Sequence, residues 1–254
     1  MALEGLLWCI AALLGTGVAA LVLAGRRVAS ALVYAISLGA TSIALCAALA
    51  SLLGPAAFGG SLTLPVGLPW LGAHFRLDAL ASFFLLVVNL GGAAASLFGL
   101  GYGRHEESPG RVLPFFPAFL AGMNLVVLAA DAFTFLFAWE FMSLSSWALV
   151  MAHHRRPGNA AAGYLYLLMA SFGTLALILA FGLLAGPSGG YSFEAIRLTP
   201  PAATISGVVL VLALIGAGSK AGLVPLQAST HWATGDTRRR RCASCRSTPP
   251  ISPA

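Results

Sequence analysis

The chain has 254 residues, of which 59% are hydrophobic and only 9% are charged. A water-soluble domain carries about a quarter charged residues, so these charges are too few to cover a globule of this size, and we expect lipid to surround much of the chain. The net charge of +6 does not indicate nucleic-acid binding, because five of the fourteen Arg and Lys residues follow residue 237 and no basic face of a folded domain is formed.

Uncharged apolar runs along the chain predict seven transmembrane helices. A spanning helix needs about 20 apolar residues, because at about 1.5 Å per residue it must cross roughly 30 Å of hydrocarbon. The fold class that follows is an all-α integral membrane protein. The predicted spans are residues 5–25, 29–53, 79–100, 112–130, 132–152, 161–184 and 203–226.

The first span is interpreted as a retained helix and not as a cleaved signal peptide, because Glu4 precedes it and Arg26 and Arg27 follow it. Only Asp131 separates the fourth and fifth runs. Two helices joined so closely must form an antiparallel hairpin, because a single span of forty residues exceeds the bilayer thickness. We therefore expect Asp131 to lie at the water interface.

Two loops have recognisable local patterns. Pro55, Pro65 and Pro69 interrupt the helix after the second span, and between them Ser61–Leu64 alternates with a period of two, which predicts a short surface β-hairpin. Between the sixth and seventh spans, Ser192 is an expected N-cap for a short interfacial helix.

The arginines predict the orientation of the chain in the membrane. Loops one, three and five hold six arginines, whereas loops two, four and six hold only Arg76 and Arg197. Because positive residues remain in the cytoplasm, the odd loops are expected there, together with the C-terminal tail. The N-terminus is then outside the cytoplasm.

Two ionisable residues, Glu140 and Lys220, lie inside predicted spans, and Lys220 is the only lysine of the chain. A charge at a helix centre costs roughly 2.5–3.5 kcal/mol on insertion scales, so such residues usually pair or line a hydrated path. Helical periodicity places Ser143 and Trp147 on the face of Glu140. The glycines and proline around Lys220 predict a break in its helix, of the kind that lines a cavity.

Each of the two residues also has a simpler interpretation. Glu140 could be a neutral carboxyl that is hydrogen-bonded to a neighbouring helix. Lys220 could extend its ammonium to the cytoplasmic headgroups. An acid and a base on separate spans, however, can offset each other's cost of desolvation, which favours a paired role.

No cofactor or metal site is predicted. Cys9 and Cys46 lie in apolar runs and are interpreted as small hydrophobic residues. Cys242 and Cys245 have thiol-pair spacing, but zinc would need two more ligands and only His231 is nearby. The sequence contains no flavin, haem, iron–sulfur or nucleotide-binding motif.

Three segments resemble motifs of the antiporter-like membrane subunits of respiratory complex I, multisubunit sodium/proton antiporters and membrane-bound hydrogenases. Phe137–Ser146 is similar to the fifth-helix signature, Gly218–Leu226 to the seventh-helix motif, and Arg76–Phe84 to the motif that opens the third helix. The similarity covers roughly residues 1–226, and the three motifs occur in the family's order. The sequence around them is most similar to the large membrane subunit of hydrogenase-4 and formate hydrogenlyase.

This resemblance implies the first part of an inverted-repeat fold in a bacterial cytoplasmic membrane. It implies that Glu140 and Lys220 form the pair between the fifth and seventh helices, within a proton-conducting half-channel. It also implies other membrane and hydrophilic subunits as partners, which carry out the electron transfer of a redox-driven complex. The alternative is a non-conducting structural or assembly subunit.

The resemblance stops at Gln227, where the family continues with a His-x-Trp-Leu-Pro segment and a second inverted repeat. Residues 227–254 are instead rich in Arg, Ser, Thr and Pro, which predicts a disordered basic tail. We interpret this change as a frameshift or a sequence-assembly break near codon 227 in a gene for a protein about twice as long. Reading the downstream DNA in the other two frames tests this hypothesis, since one frame should restore the missing segment and further spans.

Overall fold

The computed structural model describes residues 2–23, 26, 28–54, 60–65, 72–103, 109–153, 158–186, 190–198 and 201–221. Within these ranges most residues are helical, and two strands form one small sheet. The elements in chain order are α1 (Ala2–Leu23), α2 (Ala29–Leu53), β1 (Gly60–Leu64), β2 (Ala73–Leu77), α3 (Ala79–Tyr102), α4 (Pro109–Val112), α5 (Phe115–Leu128), α6 (Ala132–Val150), α7 (Asn159–Ala185), α8 (Phe193–Leu198) and α9 (Ala203–Ala221).

In the described part of the chain, seven helical segments are long and apolar enough to cross a membrane, which confirms the predicted all-α membrane fold. Six are single helices, and the fourth combines α4 and α5 as Pro109–Leu128. Pro114 lies at the junction of those two helices, where its missing N–H interrupts the helical hydrogen bonds. The observed ends of the spans differ from the predicted ends by only a few residues.

The described part of the seventh span contains no break, and the rest of the segment in which a break was expected, including Gly222 and Pro225, lies outside the described residues. Helix α9 runs without interruption through Gly216 and Gly218 to Ala221. Residues 222–254 lie outside the described residues, and they include the predicted end of this span, the tail 227–254 and the Cys242–Cys245 pair.

The helices pack in a sequence that follows the chain. Helix α1 packs on α2 and α5, α2 on α3, α5 on α6, α6 on α7, and α7 on α9. The main apolar cluster lies among α1, α2, α3 and α5, where Leu6, Leu13, Leu85 and Leu128 are fully buried. Many large apolar side chains on the outer faces of the helices are exposed, as expected for surfaces that contact lipid.

Strands β1 and β2 form the antiparallel hairpin that the sequence predicted, with Ser61 opposite Arg76. Arg76 therefore belongs to β2, within the second loop as expected, and the motif that includes it starts before the third helix. Helix α3 begins at Ala79, after Asp78, whose carboxylate accepts a hydrogen bond from the Ala81 N–H at 2.8 Å. Asp78 also binds the Arg76 guanidinium at 2.9 Å, so the motif joins a strand to a helix cap.

The three even-numbered loops meet at one end of the bundle, which we term the hairpin end because it carries β1 and β2. The Ala130 N–H donates to the His74 carbonyl at 2.8 Å, and the Phe193 N–H donates to the Ala130 carbonyl at 3.1 Å. Ser192 caps α8 as predicted, since its hydroxyl accepts from the Ala195 N–H at 3.2 Å. These bonds join residues from three separate loops.

Asp131 is buried at the hairpin end, so its predicted location at the water interface is wrong. Its side chain is 1% exposed and caps α6, where it accepts from the Thr134 N–H at 2.7 Å and the Thr134 hydroxyl at 2.6 Å. It also accepts from the His74 N–H at 3.0 Å. The three-residue connection between α5 and α6 is covered by β2, and a sequence pattern does not reveal this. We term Asp131, His74 and Thr134 the Asp131 clasp.

Helices α7 and α9 approach closely at two glycines. A Cβ atom added to Gly173 would lie 3.0 Å from the Gly216 carbonyl oxygen and would collide with Ser219, and one added to Gly216 would lie 2.9 Å from the Gly173 carbonyl oxygen. Small residues allow helix backbones to come together in this way within membranes. The contact fixes the position of α9, which carries Lys220.

We predict that Asp131→Ala destabilises the fold more than Asp78→Ala. The first change leaves the buried donors of the clasp without their acceptor, and a hydrogen bond to a charged group contributes about 1.5–3 kcal/mol. The second removes a cap whose side chain is 43% exposed, and loss of a cap costs about 1 kcal/mol. Equilibrium unfolding in detergent micelles measures both changes. Equal losses of unfolding free energy in the two variants would contradict the stabilising role assigned to the Asp131 clasp.

We also predict that Gly173→Ala lowers the free energy of unfolding by roughly 1–3 kcal/mol, the usual cost of overpacking. Gly182 lies on the same helix, and a Cβ atom there meets nothing within 4 Å. Gly182→Ala is therefore the matched control and should leave stability unchanged or slightly raised. The same micelle unfolding assay compares the two variants, and a stable Gly173→Ala protein would rule out the close contact.

Candidate functional site

The two predicted site residues lie on helices that both pack against α7. Glu140 is on α6 and Lys220 is on α9. Helix α6 starts at the hairpin end, and at about 1.5 Å per residue Glu140 lies about 13 Å along its axis from Asp131. This position is close to the middle of α6. Lys220 is the second-last residue of α9, towards the opposite end of the bundle.

The side chain of Lys220 is half-buried and lies against α7 and α6. Its Nζ donates a hydrogen bond to the Tyr166 hydroxyl on α7 at 2.8 Å. It also lies 5.0 Å from the centroid of the Tyr166 ring and 6.0 Å from that of the Trp139 ring on α6, distances at which aromatic faces attract cations. This geometry disfavours the simpler interpretation, in which the side chain extends to the headgroups.

A second hydrogen bond continues from Tyr166 to α6. The Tyr166 hydroxyl donates to the Ser146 hydroxyl at 3.1 Å. Ser146 lies four residues before the end of α6, Tyr166 lies seven residues after the start of α7, and α7 runs antiparallel to α6. The residues therefore lie at similar depth, and Lys220, Tyr166 and Ser146 link three helices. We term them the Lys220 chain.

Glu140 lies among polar atoms that lack partners. Its Oε1 atom is buried, as are the indole Nε1 atoms of Trp139 and Trp147, and none of the three has a hydrogen-bonding partner among the described residues. Ser143 was expected on the same face, but its buried hydroxyl donates to the Trp139 carbonyl at 2.7 Å. An unpaired buried polar group costs about 1–3 kcal/mol, so this region of α6 has unmet hydrogen-bonding capacity.

Within the described ranges, Glu140 and Lys220 do not form an ion pair within 4.0 Å. The lysine instead binds the hydroxyl of Tyr166. Ser146 follows Glu140 by six residues, which is about 9 Å along the axis of α6. The two predicted residues are not in contact among the described atoms, and their pairing stays a prediction.

Sequence reasoning missed Tyr166 and Trp139 as neighbours of Lys220. Tyr166 follows Tyr164 by two residues, and an uncharged helix gives no signal that distinguishes them. The structure distinguishes the two tyrosines. Tyr164 is 68% exposed on the outer face, whereas Tyr166 forms hydrogen bonds with residues of two other helices. Only the packing of α7 against α6 and α9 makes this assignment.

A second buried polar contact lies outside this region, between α3 and α5. The Asn89 amide donates to the Asn124 side-chain oxygen at 2.7 Å, and each amide also donates to a carbonyl one turn earlier on its own helix. Both side chains are neutral, and the contact joins two helices of the main apolar cluster. It is therefore a packing element of the first five helices.

Part of the sequence matches a known protein family. Residues 129–233 match the family described as NADH:quinone oxidoreductase/Mrp antiporter, transmembrane. An uncharacterized protein of Mycobacterium tuberculosis is 37% identical over 174 residues, which are 67% of this chain and 27% of that protein. Hydrogenase-4 component B of Escherichia coli is 35% identical over 153 residues, which are 59% of this chain and 23% of that protein.

A solved structure shows the same fold. In the membrane-bound sulfane sulfur reductase, an archaeal respiratory membrane complex, one chain superposes with a TM-score of 0.73 at 21% identity, over 88% of this chain and 46% of that one. The chain spans about a quarter of the length of the curated relatives that it matches. The family match includes both Glu140 and Lys220. Over residues 129–233 the chain thus carries the transmembrane domain of the NADH:quinone oxidoreductase/Mrp antiporter family, and its homologues include hydrogenase-4 component B.

Proposed function

We propose that this chain is an ion-translocating part of a redox-driven membrane complex, and that protons move past Glu140 and Lys220. The observation that carries the proposal is the position of the only lysine of the sequence: its half-buried ammonium is bound by Tyr166 between α6, α7 and α9. A cation held within a membrane span is costly, and proteins retain such groups mainly along ion pathways.

The unpaired polar atoms of α6 support the same proposal. The carboxyl oxygen of Glu140 and the indole nitrogens of Trp139 and Trp147 are buried without partners in the described ranges. Water in a narrow path beside α6 would satisfy all three groups and would give a proton a route along the helix. The neighbouring Ser143, in contrast, donates its hydroxyl to the backbone of its own helix.

The relatives support a complex as the setting of this function. One relative is named as a hydrogenase-4 component and the structural neighbour belongs to a respiratory membrane complex. By analogy, we propose that other membrane and hydrophilic subunits perform the electron transfer, since the chain has no redox motif of its own. We place the chain in the cytoplasmic membrane of a bacterium.

We predict that Glu140→Gln and Lys220→Met each lower proton flux by about 100-fold or more, as expected when a proton-transfer group is removed. Flux is measured with a pH-sensitive dye in inverted membrane vesicles that contain the full-length gene product in its complex. The amount of assembled complex is measured in parallel.

Glu194→Gln on α8 is the matched control, because Glu194 lies at the hairpin end outside the seven spans, and its flux should equal that of the wild type. Wild-type flux in both site variants would contradict the proposal that protons move past Glu140 and Lys220. Assembly without any flux in the wild-type complex itself would favour the non-conducting structural subunit instead.

The proposed orientation places the hairpin end outside the cytoplasm. We predict that, in a cysteine-free background, Ser61→Cys on β1 reacts with a membrane-impermeant maleimide in spheroplasts. Gly110→Cys on α4, at the opposite end of the bundle, should react only after lysis. Both positions are exposed in the structure, so access depends on the side of the membrane, and the reversed labelling pattern would overturn the orientation.

A further inference from the structure

The Tyr166 hydroxyl is the link between Lys220 and the helix that carries Glu140. Its oxygen accepts from the Lys220 Nζ at 2.8 Å, and its hydrogen is donated to the Ser146 oxygen at 3.1 Å. The phenol therefore acts at once as acceptor and donor. Its ring also lies against the same ammonium, 5.0 Å from the centroid, so both the oxygen and the ring hold the cation.

The surroundings give Lys220 few other partners on α6. The hydroxyl of Ser143 already donates to the backbone of its own helix. The indole ring of Trp139 contributes a face at 6.0 Å but no hydrogen-bond acceptor. Of the groups described on α6, Ser146 is therefore the one that is connected to Lys220 by hydrogen bonds, through Tyr166.

The glycine contact lies next to the Lys220 chain and sets the distance between α7 and α9 there. Gly173 and Gly216 bring α7 and α9 together, and Lys220 follows Gly216 by one helical turn. Tyr166 precedes Gly173 by about two turns on the antiparallel helix. The close approach fixes the separation of the two backbones, so the lysine side chain meets the phenol without leaving the bundle.

We propose that Tyr166, supported by Ser146, is the positioning residue that holds the Lys220 ammonium when it is not paired with Glu140. The lysine then has two acceptors, the phenol oxygen towards one end of α6 and the carboxylate near its middle, and ion movement requires exchange between them. This inference rests on the proposed function, because it assigns Tyr166 a role only through Lys220.

The decisive variant is Tyr166→Phe, which removes the hydroxyl and keeps the ring. We expect proton flux per assembled complex to fall by about tenfold or more, since misplacing a reacting group by about 1 Å costs on the order of 100-fold. Tyr164→Phe is the matched control on the outer face of the same helix and should retain wild-type flux. Flux is measured by pH-sensitive dye in vesicles containing the full-length protein in its complex.

Ser146 provides a second, conservative pair of variants. Ser146→Ala should lower flux by about fivefold, the equivalent of one hydrogen bond, whereas Ser146→Thr keeps a hydroxyl and should restore it. Because Ser146 acts through Tyr166, the double variant Tyr166→Phe with Ser146→Ala should transport no less than Tyr166→Phe alone. If the fold losses of flux of the two single variants multiply in the double variant, Ser146 and Tyr166 act independently, and the proposal that Ser146 acts through Tyr166 is wrong.

The outcomes separate this inference from the proposed function. Lost flux in Glu140→Gln and Lys220→Met, together with wild-type flux in Tyr166→Phe, would overturn the role of Tyr166 and leave the proposed function intact. Wild-type flux in all of them would overturn both. If Tyr166→Phe lowers the amount of complex but not the flux per complex, Tyr166 is only a packing residue, and the inference is wrong.

Discussion

Lipid hydrocarbon offers no hydrogen bonds, so each polar group within the spans must find its partner inside the protein or incur a penalty of several kcal/mol. That constraint explains where the polar residues of this chain lie. Thr16, Thr41 and Ser96 bind carbonyls one turn earlier on their own helices. In this way small polar side chains occur within a membrane span without needing a neighbouring helix.

The polar contacts between helices divide the bundle into two parts. In the first part, α3 and α5 are joined by the neutral Asn89–Asn124 pair. In α6, α7 and α9 the contacts include the one lysine, and a carboxyl oxygen on α6 has no partner in the described ranges. The first part has the larger apolar cluster, and the second part carries the two predicted site residues, Glu140 and Lys220.

The sequence predicted much of the fold because lipid imposes a simple rule on composition. Long uncharged runs, punctuated by Arg, Pro and Gly, were enough to place seven spans, the hairpin and the Ser192 cap. Burial at the ends of the bundle was not predictable in the same way. Asp131 looked like a loop residue, and only the folding of β2 over the α5–α6 connection buries it.

The candidate site was predictable only in part, for a related reason. Glu140 and Lys220 stand out because charges are rare inside spans. Tyr166, Trp139 and Ser146 are ordinary residues for a membrane helix, and their relation to Lys220 depends on how α6, α7 and α9 are rotated against one another. Rotation about a helix axis is decided by tertiary packing, such as the contact of Gly173 with Gly216. The sequence of a uniformly apolar helix does not show which of its faces points inward.

The Asp131 clasp has a consequence for biogenesis. Its acceptor and its backbone donor are 57 residues apart, and the neighbouring bonds from Ala132 to Tyr191 and from Phe193 to Ala130 require the loop that follows α7. During synthesis this end of the bundle therefore closes in two steps: the clasp itself can form once α5 has returned to the hairpin end and α6 has begun, and the bonds to the loop after α7 form when α7 returns there. Until the second step the α5–α6 connection lacks one of its two flanking loops. The order of translation thus makes completion of the sixth span the event that locks this end of the nascent bundle.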